Sequence, residues 1–215
     1  MNGISDLISH GRLARYGNVL DDKCLARYFF NISFCESLYP ALSVFEVVLR
    51  NKADIVLTRH LGSGWIFEAV QRDKRLAELH RIKDKNVLID NLTLAFWSRL
   101  FHPSSRELIW SKCPDALAEI FEKRKASLNL SKIGFEIDQI RRCRNRFSHN
   151  GSMLIVPKRH MSCYQIHNLL LRMIKELGGK PLLRHLKSID RFDMMFQLAR
   201  DLGYIPGEEV IPEVE

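Results

Sequence analysis

Residues 131–150 read SKIGFEIDQIRRCRNRFSHN. Within them Ile133, Ile137, Ile140 and Phe147 recur at steps of four, three and seven, the period of one helix face. A helix from Ser131 to about Ser148 follows, and Asn150-Gly151 suits a left-handed exit. Position 144 falls on the same stripe, four after Ile140 and three before Phe147, and it holds an arginine. A guanidinium on an apolar seam needs an acid, carbonyls or a phosphate, because an unpaired buried charge is costly. A break of this kind in an apolar pattern tends to mark a functional position.

The flanking chain repeats the helical period. Asp21 and Asp22 suit the cap of a helix to about Asn31, and Ser33 suits the start of a second, with Pro40 in its first turns. Leu38, Leu42, Phe45 and Leu49 form its buried stripe, and Gly62 and Gly64 end it. Trp65 to Val70 reads as an apolar connector, 73–84 as a polar helix and 90–101 as an apolar one. His102 to Ser105 reads as a turn, and Pro114 opens a helix to about Leu128. A helix over 161–177 ends at Gly178-Gly179, and Ser188 or Asp190 caps a last one to about Leu202. Strand-period alternation is nowhere sustained, and Leu154-Ile155-Val156 alone does not make a sheet. The expected fold is all-α: one domain over 1–207, a bundle of long helices with peripheral ones, then an acidic tail over 208–215.

The formal charge is +8; without the four acids of 208–215, 33 basic side chains face 21 acidic ones, a charge of +12 for 1–207. A basic body suits a polyanion, whether RNA, DNA or anionic lipid. The five cysteines, Cys24, Cys35, Cys113, Cys143 and Cys163, include no CxxC pair, which favours reduced thiols and a cytoplasmic setting. No signal peptide is read, and no stretch approaches about 18 uninterrupted apolar residues, so no membrane span is expected.

His149 follows Arg144 by five residues, at the helix exit. An imidazole takes or gives a proton near neutral pH. An arginine holds a phosphate by two hydrogen bonds and stabilises charge that develops in the transition state. RNA supplies its own nucleophile, the 2′-hydroxyl, so this pair is a sufficient kit for cleavage without a metal. The plainer reading pairs Arg144 with Glu46 or Asp138 and leaves His149 as a helix end; spacing alone does not separate the two.

Three segments carry a resemblance. Arg144-Asn145-Arg146-Phe147-Ser148-His149 is similar to the R-x4-6-H motif of the HEPN superfamily, with an asparagine after the arginine. Val44-Phe45-Glu46-Val47-Val48-Leu49-Arg50-Asn51 resembles the E-x3-R-N helix of Abi-like abortive-infection proteins, and Leu92 to Phe101 resembles their apolar helix ending in F-W-x-x-L-F. The set spans about residues 20–155. In many relatives an acidic residue follows the histidine closely; here Asn150-Gly151-Ser152 follows. The resemblance implies a HEPN-like bundle that dimerises with its motifs across the interface. It implies a metal-independent ribonuclease, with no cofactor, acting in phage defence or as the toxin of a toxin–antitoxin pair whose antitoxin is a protein or an RNA. Some members bind RNA without cutting it. By position, Arg144 and His149 match the catalytic pair, Asn145 the supporting polar residue, and Glu46 and Arg50 the accessory helix. Glu46 and Arg50, four apart, also have the simpler reading of an exposed ion pair.

Arg141, Lys158 and Arg159 are candidate contacts to RNA phosphates. Lys123-Arg124-Lys125 and 72–75 read mostly as solvated faces. His160, Cys163 and His167 have ligand-like spacing on a helix, but no fourth ligand accompanies them and an ordinary helix face is the better reading.

Overall fold

The computed structural model describes residues 7–19, 21–124, 128–155 and 160–205. Its secondary structure is helical, with no strand among the described residues, so the all-α expectation holds. Among the described residues, beside the short helix His10–Leu13, nine helices build the fold: α1 (Asp22–Leu61), α2 (Trp65–Gln71), α3 (Lys85–Asn91), α4 (Leu94–Leu100), α5 (Ala116–Ile120), α6 (Leu130–Ser148), α7 (Cys163–Glu176), α8 (Lys180–Lys187) and α9 (Phe192–Asp201). Shorter turns fill the joints, among them the 3-10 turns Lys74–Leu79 and Pro103–Ser105 and the π-helical turn Arg106–Trp110.

The axis of the fold is α1, a single helix of 40 residues where the sequence suggested two. Asp21 caps its start by accepting from the Lys23 N–H at 2.9 Å. Asn31 does not end it, because its side chain has partners elsewhere in the fold. Pro40 sits well inside rather than in a first turn. The carbonyl that Pro40 leaves without a donor belongs to Glu36, an exposed residue, where water can satisfy it. Phe34, Leu38, Ala41, Phe45, Leu49, Ala53 and Leu57 form one buried face of α1, each large side chain contributing about 1.5–3 kcal/mol by its removal from water. Against this face pack α7, α5, α9, α8, α2, α4 and α6. By length and composition α1 is apolar enough to cross a membrane, a test that the buried core helix of a soluble protein also passes, and 44% of its most apolar window is buried in the fold.

Other differences have local causes. Residues 65–71 are helical, not a connector. Residues 74–79 form 3-10 turns kinked at Leu76 in place of a polar α-helix; none of them is fully buried, and only Leu76 and Leu79 pack in part against the core, a narrow face to hold an α-helix. The expected helix over 90–101 divides at Leu92 and Thr93, both extended, giving α3 and α4. The helix from Pro114 stops at Ile120, because Phe121 leaves helical geometry to bury its ring against Phe101. α6 and α7 match their readings closely. Asn129 caps α6 through the Lys132 N–H, and Ser162 and Gln165 form a reciprocal capping box on α7. Gly134 on α6 lies so close to the Phe101 carbonyl that a Cβ would clash with it. That glycine brings the end of α4 onto α6.

A buried ionic network joins the chain after α5 to α6 and α7. Arg124 reaches Glu136 at 3.0 Å and Glu176 at 2.9 Å, and Arg172 closes the square at 3.0 Å to each acid. The Arg124 side chain is fully buried, so the reading of 123–125 as a solvated face is wrong at its middle residue. Two acids on the inner sides of α6 and α7 require a cation there.

All five cysteines are buried, and Cys24, Cys35, Cys113 and Cys143 form no disulfide. Burial pushes the Cys35 and Cys143 thiols up to about 12, which makes them poor nucleophiles. His167 is buried, stacks on Phe192 and bonds Asp190 at 2.8 Å, while the Cys163 thiol donates to the Met153 carbonyl. Burial opposes ionisation of Asp190, but the bonds from His167 and the Phe192 N–H outweigh it and hold the carboxyl below its ordinary range. A lowered folded-state value stabilises the protein above the unfolded value, near 3.9, and that stability is lost as pH falls through the folded value. Urea midpoints measured from pH 6 to pH 3 should therefore fall below about pH 4. Asp190→Asn should flatten this decline, and an unchanged pH profile would contradict the linkage.

Candidate functional site

Three separate parts of the chain meet around one cavity of about 200 Å³. From α1 come Tyr39, Glu46 and Arg50; from the α3–α4 region, Leu92, Leu94 and Trp97; from the last turns of α6, Arg144, Phe147 and Ser148. These are the same three segments on which the resemblance rests.

Arg144 does not lie on the buried seam of α6. The seam runs Ile133, Ile137, Ile140, Cys143, all at 8% exposure or less. The stripe turns by one residue at its end and leaves Arg144 on its margin, with 38% of its side chain exposed. Its Nε lies 3.5 Å from Glu46 Oε1. Of the two acids considered from sequence, Glu46 is thus the partner. Asp138 is occupied by Arg141, at 2.6 Å, and by Arg142, also at 2.6 Å. Burial raises the Glu46 carboxyl above the usual glutamate value, against the lowering influence of Arg144 and Arg50. Its ionised form is therefore incompletely compensated by the two arginines.

Arg50 lines the same cavity but makes no ion pair with Glu46. Its guanidinium turns to Asp90 on α3 at 3.2 Å, and its Nε donates to Asn51. The simple ion-pair reading of these two residues is thereby corrected: each has a tertiary partner that α1 alone could not supply. Arg141 is tied to Asp138 through both Nε and Nη2, so its charge is already partly matched. Lys158 and Arg159 lie outside the described residues.

His149 is the C-cap of α6. Its backbone N–H donates to the Asn145 carbonyl at 3.0 Å, and its ring is exposed with no hydrogen bond to a described residue. It sits beside the cavity and does not line it. Asn145 supports the exit through that carbonyl; its side chain bonds no described residue. Asn150 is left-handed at φ 51°. The Gly151 N–H reaches the Arg146 carbonyl at 2.8 Å and the Asn150 N–H the Phe147 carbonyl at 3.0 Å, the paired bonds of a Schellman exit.

Asn31, which the sequence suggested as a helix end, fixes this exit from α1. Its amide nitrogen donates to the Gly151 carbonyl at 3.4 Å, and its amide oxygen accepts from the Met153 N–H at 2.7 Å. A buried polar residue seven before Leu38, on the stripe that also carries Phe34, is the same kind of pattern break that drew attention to position 144. Tyr39, which stacks on Phe147 with ring centres 6.3 Å apart, and Asp90 were also missed. Neither carries a local signal.

Chemically, the arrangement presents a half-exposed guanidinium held by a carboxylate, a second guanidinium on the same wall and an exposed imidazole at the adjacent helix exit. No group of three His, Cys, Asp or Glu side chains suited to a metal occurs among the described residues. The chain matches no protein-family model, no curated protein and no solved structure.

Proposed function

We propose that the chain is an Abi-like protein of the HEPN superfamily that cuts RNA without a metal. The single observation that carries this reading is the convergence of its three motif segments on the Arg144 cavity. In this reading a scissile phosphate displaces Glu46 from Arg144, and the guanidinium holds its oxygens through two N–H groups. The 2′-hydroxyl attacks the adjacent phosphorus and the 5′-oxygen leaves. His149 takes the proton of the attacking hydroxyl or supplies one to the leaving oxygen, giving a 2′,3′-cyclic phosphate and a 5′-hydroxyl. Arg50 and Asn145 hold the margin, and Arg141, Lys158 and Arg159 add phosphate contacts for the basic body. The expected setting is cytoplasmic, in keeping with Cys24, Cys35, Cys113 and Cys143 lying outside any disulfide, and the expected role is an effector of phage defence or of a toxin–antitoxin pair.

The second reading is a HEPN protein that binds RNA or a partner without cleavage. It is favoured by two features: Arg144 is already engaged by Glu46, and the His149 ring does not line the cavity.

Arg144→Lys tests the role of the guanidinium. Lysine keeps the charge and loses the planar two-pronged donor. RNA cleavage in EDTA should fall on the order of 10²-fold, the scale of one lost transition-state donor. A change within about twofold would assign Arg144 a simple ion-pair role.

The proposed active form is a homodimer. Ile32, Tyr39 and Val47 are large apolar side chains on α1 that are 38%, 58% and 43% exposed, and the last two border the Arg144 cavity. Light scattering should give twice the chain mass, and Tyr39→Glu should shift it toward the single-chain mass. A wild-type monomer at every concentration would contradict the dimer.

A further inference from the structure

A second and larger cleft, of about 450 Å³, lies on the other side of α4. Leu94 and Trp97 of that helix line the Arg144 cavity, whereas Phe96, Arg99 and Leu100 line this cleft. Its size falls in the range of small-molecule sites, about 300–1,000 Å³. The remaining walls are α2, the 3-10 turns at 74–79 and 103–105 and the π-helical turn Arg106–Trp110. π-Helical turns are rare and frequent at functional sites. Here the turn sets Ile109 into the wall and Leu108 at the surface with 48% of its area exposed.

The lining divides by chemistry. Trp65, Phe96, Leu100, Leu108 and Ile109 supply an apolar wall, and Arg72, Arg75, Arg99 and Lys112 supply four cations against the two carboxylates of Glu68 and Asp73. Asp73 is fully engaged, bonding Arg75 at 2.8 Å and Arg99 at 2.7 Å. Lys112 makes no ion pair among the described residues, and Arg72 has only a long contact to Glu68 at 3.8 Å. Arg99 bonds one carboxylate through Nη2 alone, and its other N–H groups bond no described residue. Burial lowers its affinity for its proton in spite of Asp73, so its charge is under-compensated where it stands.

We propose that this cleft binds an amphipathic anion, an aliphatic chain ending in a carboxylate. The chain lies along Trp65, Phe96, Leu108 and Ile109, and the carboxylate meets Arg99 and Lys112. An apolar occupant without charge leaves the surplus cations unanswered, and a bare anion leaves the apolar wall wet. The proposal is independent of the RNA reading, since it uses a different cavity and a different ligand.

The test is titration calorimetry on the full chain with dodecanoate below its micellar concentration, with dodecan-1-ol and inorganic phosphate as the two half-ligands. Dodecanoate should saturate one site per chain, and each half-ligand should bind at least about tenfold more weakly, a difference of about 1.4 kcal/mol. Leu108→Glu, at an exposed position, and Arg99→Gln should each weaken dodecanoate by a similar factor, with folding checked by circular dichroism. Leu108→Glu keeps the test decisive if Arg99→Gln fails to fold. Absence of dodecanoate binding, equal binding of dodecan-1-ol or phosphate, or full affinity in a folded Leu108→Glu variant would overturn the proposal.

Discussion

His149→Ala should lower the rate of RNA cleavage by a factor on the order of 10²–10⁴, the loss expected when a positioned proton-transfer group is removed. The fold should be indifferent to the change. His149 stands at the C-cap of α6, its ring is exposed, and the exit is held by the Asn150 and Gly151 backbone bonds and by Asn31, none of which uses the imidazole. RNA affinity should change little, because phosphate is assigned to Arg144. The measurement is the cleavage rate of end-labelled RNA in EDTA, with the thermal melt of each variant recorded beside it. A folded His149→Ala variant that cuts at the wild-type rate refutes the assignment. Asn31→Leu is a useful companion. It removes the clamp on 151–153 without touching the site, so it should lower the rate through the placement of His149, whereas Asn31→Asp keeps the acceptor for the Met153 N–H.

The second large effect concerns stability. Arg124→Ala should cost about 3–5 kcal/mol, the scale for removing one partner of a buried ion pair. It leaves Glu136 and Glu176, whose side chains are only 9% and 10% exposed, on facing helices α6 and α7 with the single guanidinium of Arg172 between two carboxylates. Arg172 cannot compensate, since it already bonds both acids and is itself 40% exposed. Arg172→Ala should therefore cost less than Arg124→Ala. Urea unfolding of the two variants checks the order. Replacing the acids together with the base, as in Arg124→Met with Glu136→Gln and Glu176→Gln, should recover part of the loss, because the one charge left without these partners, Arg172, is 40% exposed and open to water. A cost below about 1 kcal/mol for Arg124→Ala, the level of an exposed pair, would show that the network is not a stability element.

What could be read from sequence followed the strength of the local signal. The stripe Ile133, Ile137, Ile140 and the Asn150-Gly151 exit placed α6 within a residue of its true start, and Gly178-Gly179 marked the end of α7. Caps and periodicity act within one or two turns, and there they suffice. The misreadings arose where distant contacts decide. Asn31 looked like a stop because its partners, Gly151 and Met153, lie about 120 residues away in the chain. Phe121 leaves helical geometry and Arg124 enters the core for partners on other elements: Phe101 for the ring, and Glu136 and Glu176 for the charge. Leu92 and Thr93 divide an apolar run with no glycine or proline to announce it. At the site, Arg144 and Glu46 were identified as possible partners and are paired. The placement of Arg144 on the buried seam was wrong by one position, because Cys143, a small apolar residue, takes the last buried place. Asp90 as the partner of Arg50 had no sequence signal at all.

The most direct measurement is the chemistry of the RNA ends formed in EDTA by the wild-type protein. Fragments should carry a 2′,3′-cyclic phosphate and a 5′-hydroxyl, and a single 2′-deoxyribose on the 5′ side of the cut should abolish cleavage there, because the attacking hydroxyl is gone. Fragments ending in a 3′-hydroxyl and a 5′-phosphate, cleavage that persists at the deoxy position, or no cleavage of any RNA by the wild-type protein would contradict the proposed ribonuclease.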